Sequence, residues 1–179
     1  LVFLTIGGNN AYFASVVKNC FVIPSLRCGY WFRKAEEYVM NDLLDDLVST
    51  IYDNLALRMR EGAKVILSFY PYLSIVDSGD AEGDRGRKLA DNALQIYRDA
   101  VTELNSKGFG EWVILYEGVL DDFAGHEPHP ERDIANKDNW IHEWFAGYPS
   151  RETHEVSNPP NVAYDIPACR FLPQFSGIG

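Results

Sequence analysis

The stretch LVFLTIGGNN, residues 1–10, decides how the rest of the chain is read. Leu1, Val2, Phe3, Leu4 and Ile6 form a nearly continuous apolar segment, which fits a strand buried on both faces better than one with a wet face. Gly7 ends it. Two glycines give the backbone access to unusual φ/ψ, and Asn9 and Asn10 then carry amides past the strand's carboxyl end. In open α/β sheets, ligands bind at that end of the strands. The plainer reading of the same four residues is a Gly/Asn turn that only reverses the chain.

Downstream, apolar residues at Val39, Leu43, Leu47, Ile51 and Leu55 recur at helical spacing between Tyr30 and Arg60, with Gly62 as a stop. AKVILSFY (63–70), bounded by Gly62 and Pro71, reads as a second buried strand. The polar stretch VDSGDAEGDRGR (76–87) separates it from a second helix. That helix runs from about Lys88 to Lys107 on Leu89, Ala93, Ile96, Val101 and Leu104. EWVILYEGVL (111–120) is the third strand. Strand, helix, strand, helix, strand in this order calls for right-handed crossovers and a parallel sheet with helices on both faces. From Phe123 to Gly179 the periodicity fades. That part holds most of the prolines and all four histidines. It reads as long loops with one short helix near Asp138 to Phe145, within a single domain spanning 1–179.

Composition narrows the function. A chain of 179 residues, 46% hydrophobic and 13% aromatic, is long enough for one proper core. Sixteen basic against 26 acidic residues give a formal charge of −10, which argues against nucleic acid or an anionic membrane as partner and favours an uncharged small-molecule substrate. No apolar run reaches the roughly 20 residues of a membrane span. The first residue is Leu, already inside a strand, so a segment with its natural N-terminus elsewhere is expected. Cys20 and Cys28 bracket a short loop containing Pro24, a spacing that fits a local disulfide and equally two buried free thiols; Cys169 is left over.

Three further groups have a chemical and a structural reading. His126, Glu127, His129 and Glu131 form an H-x-x-H pair with carboxylates, but Pro128 and Pro130 forbid the helix that would align two imidazoles. Loop histidines bonded to the structure are expected there, and neither metal nor cofactor. The Gly7–Gly8 turn lacks the spacing of a dinucleotide or phosphate-binding loop. Trp140, Trp144, Phe145 and Tyr148 form either a sugar-binding platform or core, with core the plainer choice.

TIGGNNAYFASVVKNC (5–20) resembles the third conserved block of the SGNH (GDSL-type) hydrolases: a strand ending in G-G-N-D, an aromatic position, a helix and a Cys. The closest likeness is to the secreted fungal and actinobacterial branch. LSFYPYL (67–73) stands where that branch has a strand ending in G-Y-P or G-Y-A, and FAGHEPHPE (123–131) followed by NWI (139–141) resembles its F-x-G-H segment and Trp. The fold so implied is a flavodoxin-like three-layer αβα sandwich on a parallel sheet, lacking its N-terminal strand. The implied activity is a serine ester hydrolase acting on a lipid or an acylated carbohydrate.

By position, the resemblance makes Asn9 an oxyanion-hole donor and Gly7 the residue whose turn aims it. Asn10 replaces the usual Asp, a change expected to affect loop support more than chemistry. The secreted branch also favours a Cys20–Cys28 bridge and an extracellular location. Two features depart from the pattern. No G-D-S block, which carries the family's nucleophile, occurs in these residues. RFLPQFSG (170–177) places Leu172 where the family's basic His is expected, and Leu cannot accept a proton; His129 is the fallback base. The rival reading is a glycan-binding protein on the same scaffold, using the aromatic residues 140 to 148.

Overall fold

A computed structural model describes residues 1–22, 26–74, 81–107 and 110–127, all within a unit spanning Leu1–Trp144. Three short strands, β1 (Val2–Leu4), β2 (Val65–Ser68) and β3 (Val113–Tyr116), form one parallel sheet in the order β1-β2-β3. Register is continuous across it: Val2, Val65 and Val113 lie side by side, as do Phe3, Ile66 and Ile114. Between the strands run α1 (Phe13–Val16), which passes into a π-helical turn over Val17–Val22, then α2 (Cys28–Asn41), α3 (Leu43–Leu55) and α4 (Ala81–Ser106). A short α5 (Gly118–Asp122) follows β3.

The period of 2 along the strands divides the sheet's faces. Val65, Leu67 and Val113 point inward and are buried, and α3 and α4 cover them with Leu47, Ile51, Tyr97, Ala100 and Leu104. Two right-handed crossovers that step the same way along a sheet place both helices on one side, so α3 and α4 pack together on that face. Three strands, all parallel, with helices packed against them, make an α/β sandwich.

Four sequence expectations need correction. The first strand is not buried on both faces: β1 is an edge strand among the described residues, with Phe3 73% exposed. The single helix from 30 to 60 is two. It breaks at Asp42 (φ −120°, ψ −27°), because Asn41 and Asp42 are poor helix formers, while the apolar spacing runs on through the break and hides it. The second helix starts at Ala81, not Lys88. Gly83 and Gly86 made its first turns look like loop, but Glu82 and Asp84 in the first turn suit the helix dipole, and Gly86 is where α4 passes beneath Phe21 and Phe32. The third strand ends at Tyr116, and its last residues belong to α5.

Side-chain amides and ion pairs fix the layers. Asn105, near the end of α4, accepts from the N–H groups of Trp112 and Val113 at 3.1 and 3.0 Å and donates to the Val113 carbonyl at 2.9 Å, so the helix clamps the start of β3. Arg85 forks onto Glu36 at 2.7 and 2.8 Å, tying α4 to α2; the Arg85 hydrogen bonds hold the Glu36 carboxyl below its ordinary pKa. Cys20 and Cys28 are joined by a disulfide with their Cα atoms 4.8 Å apart, pinning the π-helical turn to the start of α2. The short helix expected near 138–145 lies outside the described residues. Among those described, no helix is long and apolar enough to cross a membrane.

Candidate active site

All three strands run the same way, so the segments after β1, β2 and β3 emerge at one end of the sheet. The first is GGNN. Gly7 has φ +97°, a conformation that L side chains rarely adopt. There is also no room for one: a Cβ at Gly7 would stand 2.8 Å from the Tyr97 hydroxyl and 3.2 Å from Leu43. At Gly8 it would stand 3.1 Å from the Tyr70 ring and hydroxyl. The two glycines therefore let the chain turn between two tyrosines.

Those tyrosines hold the turn from below. Tyr97, buried on α4, donates its hydroxyl hydrogen bond to the Ile6 carbonyl, one residue before the turn. Tyr70, just past β2, meets the Gly8 backbone N–H; burial raises its pKa, and that N–H pulls the other way. Backbone bonds from Ala11 to Gly7 (3.0 Å) and from Tyr12 to Asn9 (3.2 Å) close the turn. Tyr12 then takes φ +55°, an unusual value for an aromatic residue, at the entrance to α1.

Held this way, the two asparagines face different surroundings. The Asn10 amide reaches Asp46 on α3 at 3.4 Å, and the same Asp46 oxygen accepts from Tyr38 at 2.5 Å. Burial, followed by the bond to Asp46, pushes the Tyr38 phenol up to about 12. An Asp at position 10 would set a second carboxylate against Asp46, so an amide suits this place. Asn9 is exposed, and its side chain makes no hydrogen bond to another described residue. With the Gly8 N–H turned to Tyr70 and the Asn10 amide to Asp46, the exposed Asn9 amide is a donor with no partner among the described residues.

A cavity of about 100 Å³ opens directly beneath Gly7 and Gly8, lined by carbon from α1, α2 and α4 and by Phe69, Tyr70 and Pro71 after β2. Phe13, 36% exposed, stacks on Tyr70 with ring centroids 6.5 Å apart at its rim.

The other sequence candidates are placed differently. Glu127, the carboxylate of the G-H-E segment, is buried, 3.5 Å from Arg87 and 2.7 Å from the Gly125 N–H. Arg87 also donates to the Ser74 carbonyl at 2.6 Å and stacks over the Tyr72 ring at 3.8 Å. Glu127 thus ties the segment after α5 to α4. His129, Glu131, the aromatic residues 140 to 148, Cys169 and Leu172 lie outside the described residues. Sequence reasoning passed over Tyr97 and Tyr70. The available signal for Tyr97 was a hydroxyl set in the apolar stripe of α4, one turn beyond Ala93.

No family model matches the chain. It is 27% identical to a lipase of Streptomyces rimosus over 142 residues, covering 79% of this chain and 49% of that protein. Among solved structures, the extracellular lipase of Streptomyces rimosus superposes with a TM-score of 0.59 at 24% identity, over 79% of this chain and 56% of the other. Phospholipase A1 of Streptomyces albidoflavus NA297 does so with a TM-score of 0.58 at 27% identity, over 80% and 56%. The chain is SGNH-like in sequence and in fold. This SGNH-like chain spans about half the length of the relatives it matches.

Proposed function

We propose that this chain forms the oxyanion-stabilising part of a secreted serine-type hydrolase of lipid esters. The observation that carries the proposal is the exposed Asn9 amide, bonded to no other described residue, on a turn locked by Gly7 and Tyr97 beside an apolar cavity. Ester hydrolysis passes through a tetrahedral intermediate whose carbonyl oxygen gains negative charge. A donor fixed before that charge develops stabilises it without reorganisation, and loss of one such donor costs roughly 10²–10³ in kcat. Asn9 supplies that donor, Gly7 its aim and the cavity a place for apolar substrate. A serine nucleophile and a histidine base complete the chemistry. Lipase and phospholipase relatives support a lipid ester as substrate. The disulfide and the extracellular relative support an oxidising, extracellular setting.

The experiment compares residues 1–179 with the full-length gene product on p-nitrophenyl butyrate. Residues 1–179 alone give no turnover above buffer, because they hold no G-D-S block and Leu172 stands at the expected base position. The full-length product hydrolyses the ester, and in it Asn9→Ala lowers kcat about 10²–10³-fold with little change in KM. Undiminished kcat in Asn9→Ala would remove Asn9 from the mechanism. A full-length product inert on every ester but retained on a glycan column would replace the hydrolase reading with the glycan-binding one.

A further inference from the structure

Charge is unevenly spread along this chain. The first 35 residues hold Lys18, Arg27, Arg33 and Lys34 and no acidic side chain, and all 26 acidic residues follow. The formal charge of −10 therefore describes the rest of the molecule and not this part of its surface. Lys18 lies on the π-helical turn, Arg27 caps α2 and Arg33 stands in its first half, all three exposed. The disulfide gathers them: it holds the Cα atoms of Cys20 and Cys28 4.8 Å apart, and Lys18 and Arg27 are two residues and one residue from those cysteines. Among the described residues, neither Lys18 nor Arg33 is paired with a carboxylate. The first acids after them are already bonded, Glu36 to Arg85 and Glu37 to Lys34. Exposed charges more than about 10 Å away are largely screened at 0.1 M salt, so a partner at this face meets positive charge.

The same surface carries aromatic rings. With Cys28, Phe32, Ala35 and Val39 turned to the core, α2 places Arg27, Tyr30, Trp31 and Lys34, at i, i+3, i+4 and i+7, in one stripe along another side. Tyr30 stands edge-on to Trp31 with ring centroids 5.1 Å apart, and Trp31 meets Tyr12 at 5.9 Å. Rings from α2 and from the residues after the Asn9 turn thus form one patch. Exposed Phe13 extends it on one side, and exposed Leu26 precedes Arg27 on the other. Single exposed hydrophobic residues are ordinary. Rings in a row among cations match a lipid surface, where Tyr and Trp settle at the headgroup level and Lys and Arg beside them attract anionic lipid. Leu26 and Phe13 distinguish the patch from a nucleic-acid surface, since apolar side chains gain from hydrocarbon and a phosphate backbone offers none.

We infer that the face bearing Tyr12, Tyr30 and Trp31 together with Lys18, Arg27 and Arg33 docks on an anionic lipid surface. The net charge of the chain argues against such a partner, but docking is decided by the charge within a screening length of the contact, and there it is positive. The Tyr12 N–H donates to the Asn9 carbonyl at 3.2 Å, so a lipid surface seated on these rings lies beside the candidate active site. That this lipid is also the substrate rests on the hydrolase reading above; the docking itself does not.

The test is co-sedimentation of the full-length gene product with vesicles of phosphatidylcholine alone and of phosphatidylcholine mixed with phosphatidylglycerol in equal parts, both ether-linked so that no ester can be cleaved. Each basic side chain at an anionic surface contributes about fivefold, so three of them favour the anionic vesicles about 10²-fold. Raising the salt from about 0.1 M to about 1 M abolishes that preference. Lys18→Gln combined with Arg33→Gln lowers affinity for the anionic vesicles about 25-fold and leaves binding to the neutral ones unchanged, whereas Tyr30→Ser weakens binding to both. An unchanged urea midpoint shows that these variants fold; if they do not, the salt dependence of the wild type decides alone. Equal binding to the two vesicle types, undiminished anionic binding in the folded double variant, or tighter binding to oligothymidylate than to the anionic vesicles would each overturn the inference. So would a dimer that Tyr30→Ser dissolves in a product that binds no vesicle, which would give the face to a second copy of the chain. Failure of the two proposals is separable. A product that binds anionic vesicles but cleaves no ester keeps the lipid surface and loses the hydrolase. One that cleaves p-nitrophenyl butyrate but prefers neither vesicle keeps the hydrolase and loses the surface.

Discussion

Asn9, in the glycine-led turn after β1, and Glu127, in the glycine-led segment after α5, are both polar groups in loops, yet the fold treats them in opposite ways. Glu127 is buried, and Arg87 and the Gly125 N–H satisfy its oxygens. Asn9 is exposed and engaged by no other described residue, although the turn beneath it is fixed on every side by Gly7, Tyr97 and Tyr70. The difference separates two uses of a polar group. A carboxylate out of water must have its partners at once, and so it becomes part of the structure. An amide held at the surface on a rigid support keeps its hydrogen-bonding capacity for something that arrives later.

The contrast can be broken or sharpened by substitution, and the largest effect belongs to the buried side. Arg87→Met removes the cation from Glu127 and should cost about 3–5 kcal/mol in urea unfolding; a loss below about 1 kcal/mol would show that Glu127 is not locked and that the comparison has only one member. Next comes the bridge that anchors the chain leaving the Asn9 turn. Cys20→Ser opens a loop of eight residues' separation, for which chain entropy gives a loss of about 2.5 kcal/mol, read from the denaturation midpoint under non-reducing conditions. Gly7→Ala tests the rigid support itself. A β-carbon at φ +97°, 2.8 Å from the Tyr97 hydroxyl, should cost about 2 kcal/mol, and an unchanged midpoint would mean that the turn has a second conformation open to it. Smallest of all, Asn9→Ala should leave stability within about 0.5 kcal/mol of wild type. A larger loss would make Asn9 a structural residue like Glu127 and erase the distinction.

Much of this arrangement was legible along the chain. The apolar runs at 1–6 and 63–70 and the break at Gly7 mark strands and a turn, since buried strands and glycine turns are written in neighbouring residues. The helix break at Asp42 was not legible: Leu43 and Leu47 continue the apolar period across it, and a period cannot report a change of axis. The start of α4 was hidden for the opposite reason. Gly83 and Gly86 lower helix propensity locally, so the first turns of α4 look like loop in the sequence, although Gly86 packs against Phe21 and Phe32 in the fold.

By itself, then, the sequence determined the alternation of strands and helices, the glycine turn at the end of β1, and the close spacing of Cys20 and Cys28. Each depends on residues a few positions apart, whose propensities and periods act before the chain is folded. Tertiary structure alone decided that Tyr97 reaches Ile6 across 91 positions and Arg87 reaches Glu127 across 40. It also decided that Gly86, Ala90 and Ala93 line one pocket with Gly7 and Gly8. No local pattern encodes these meetings, because which distant side chains share a volume is set by how the helices cross the sheet.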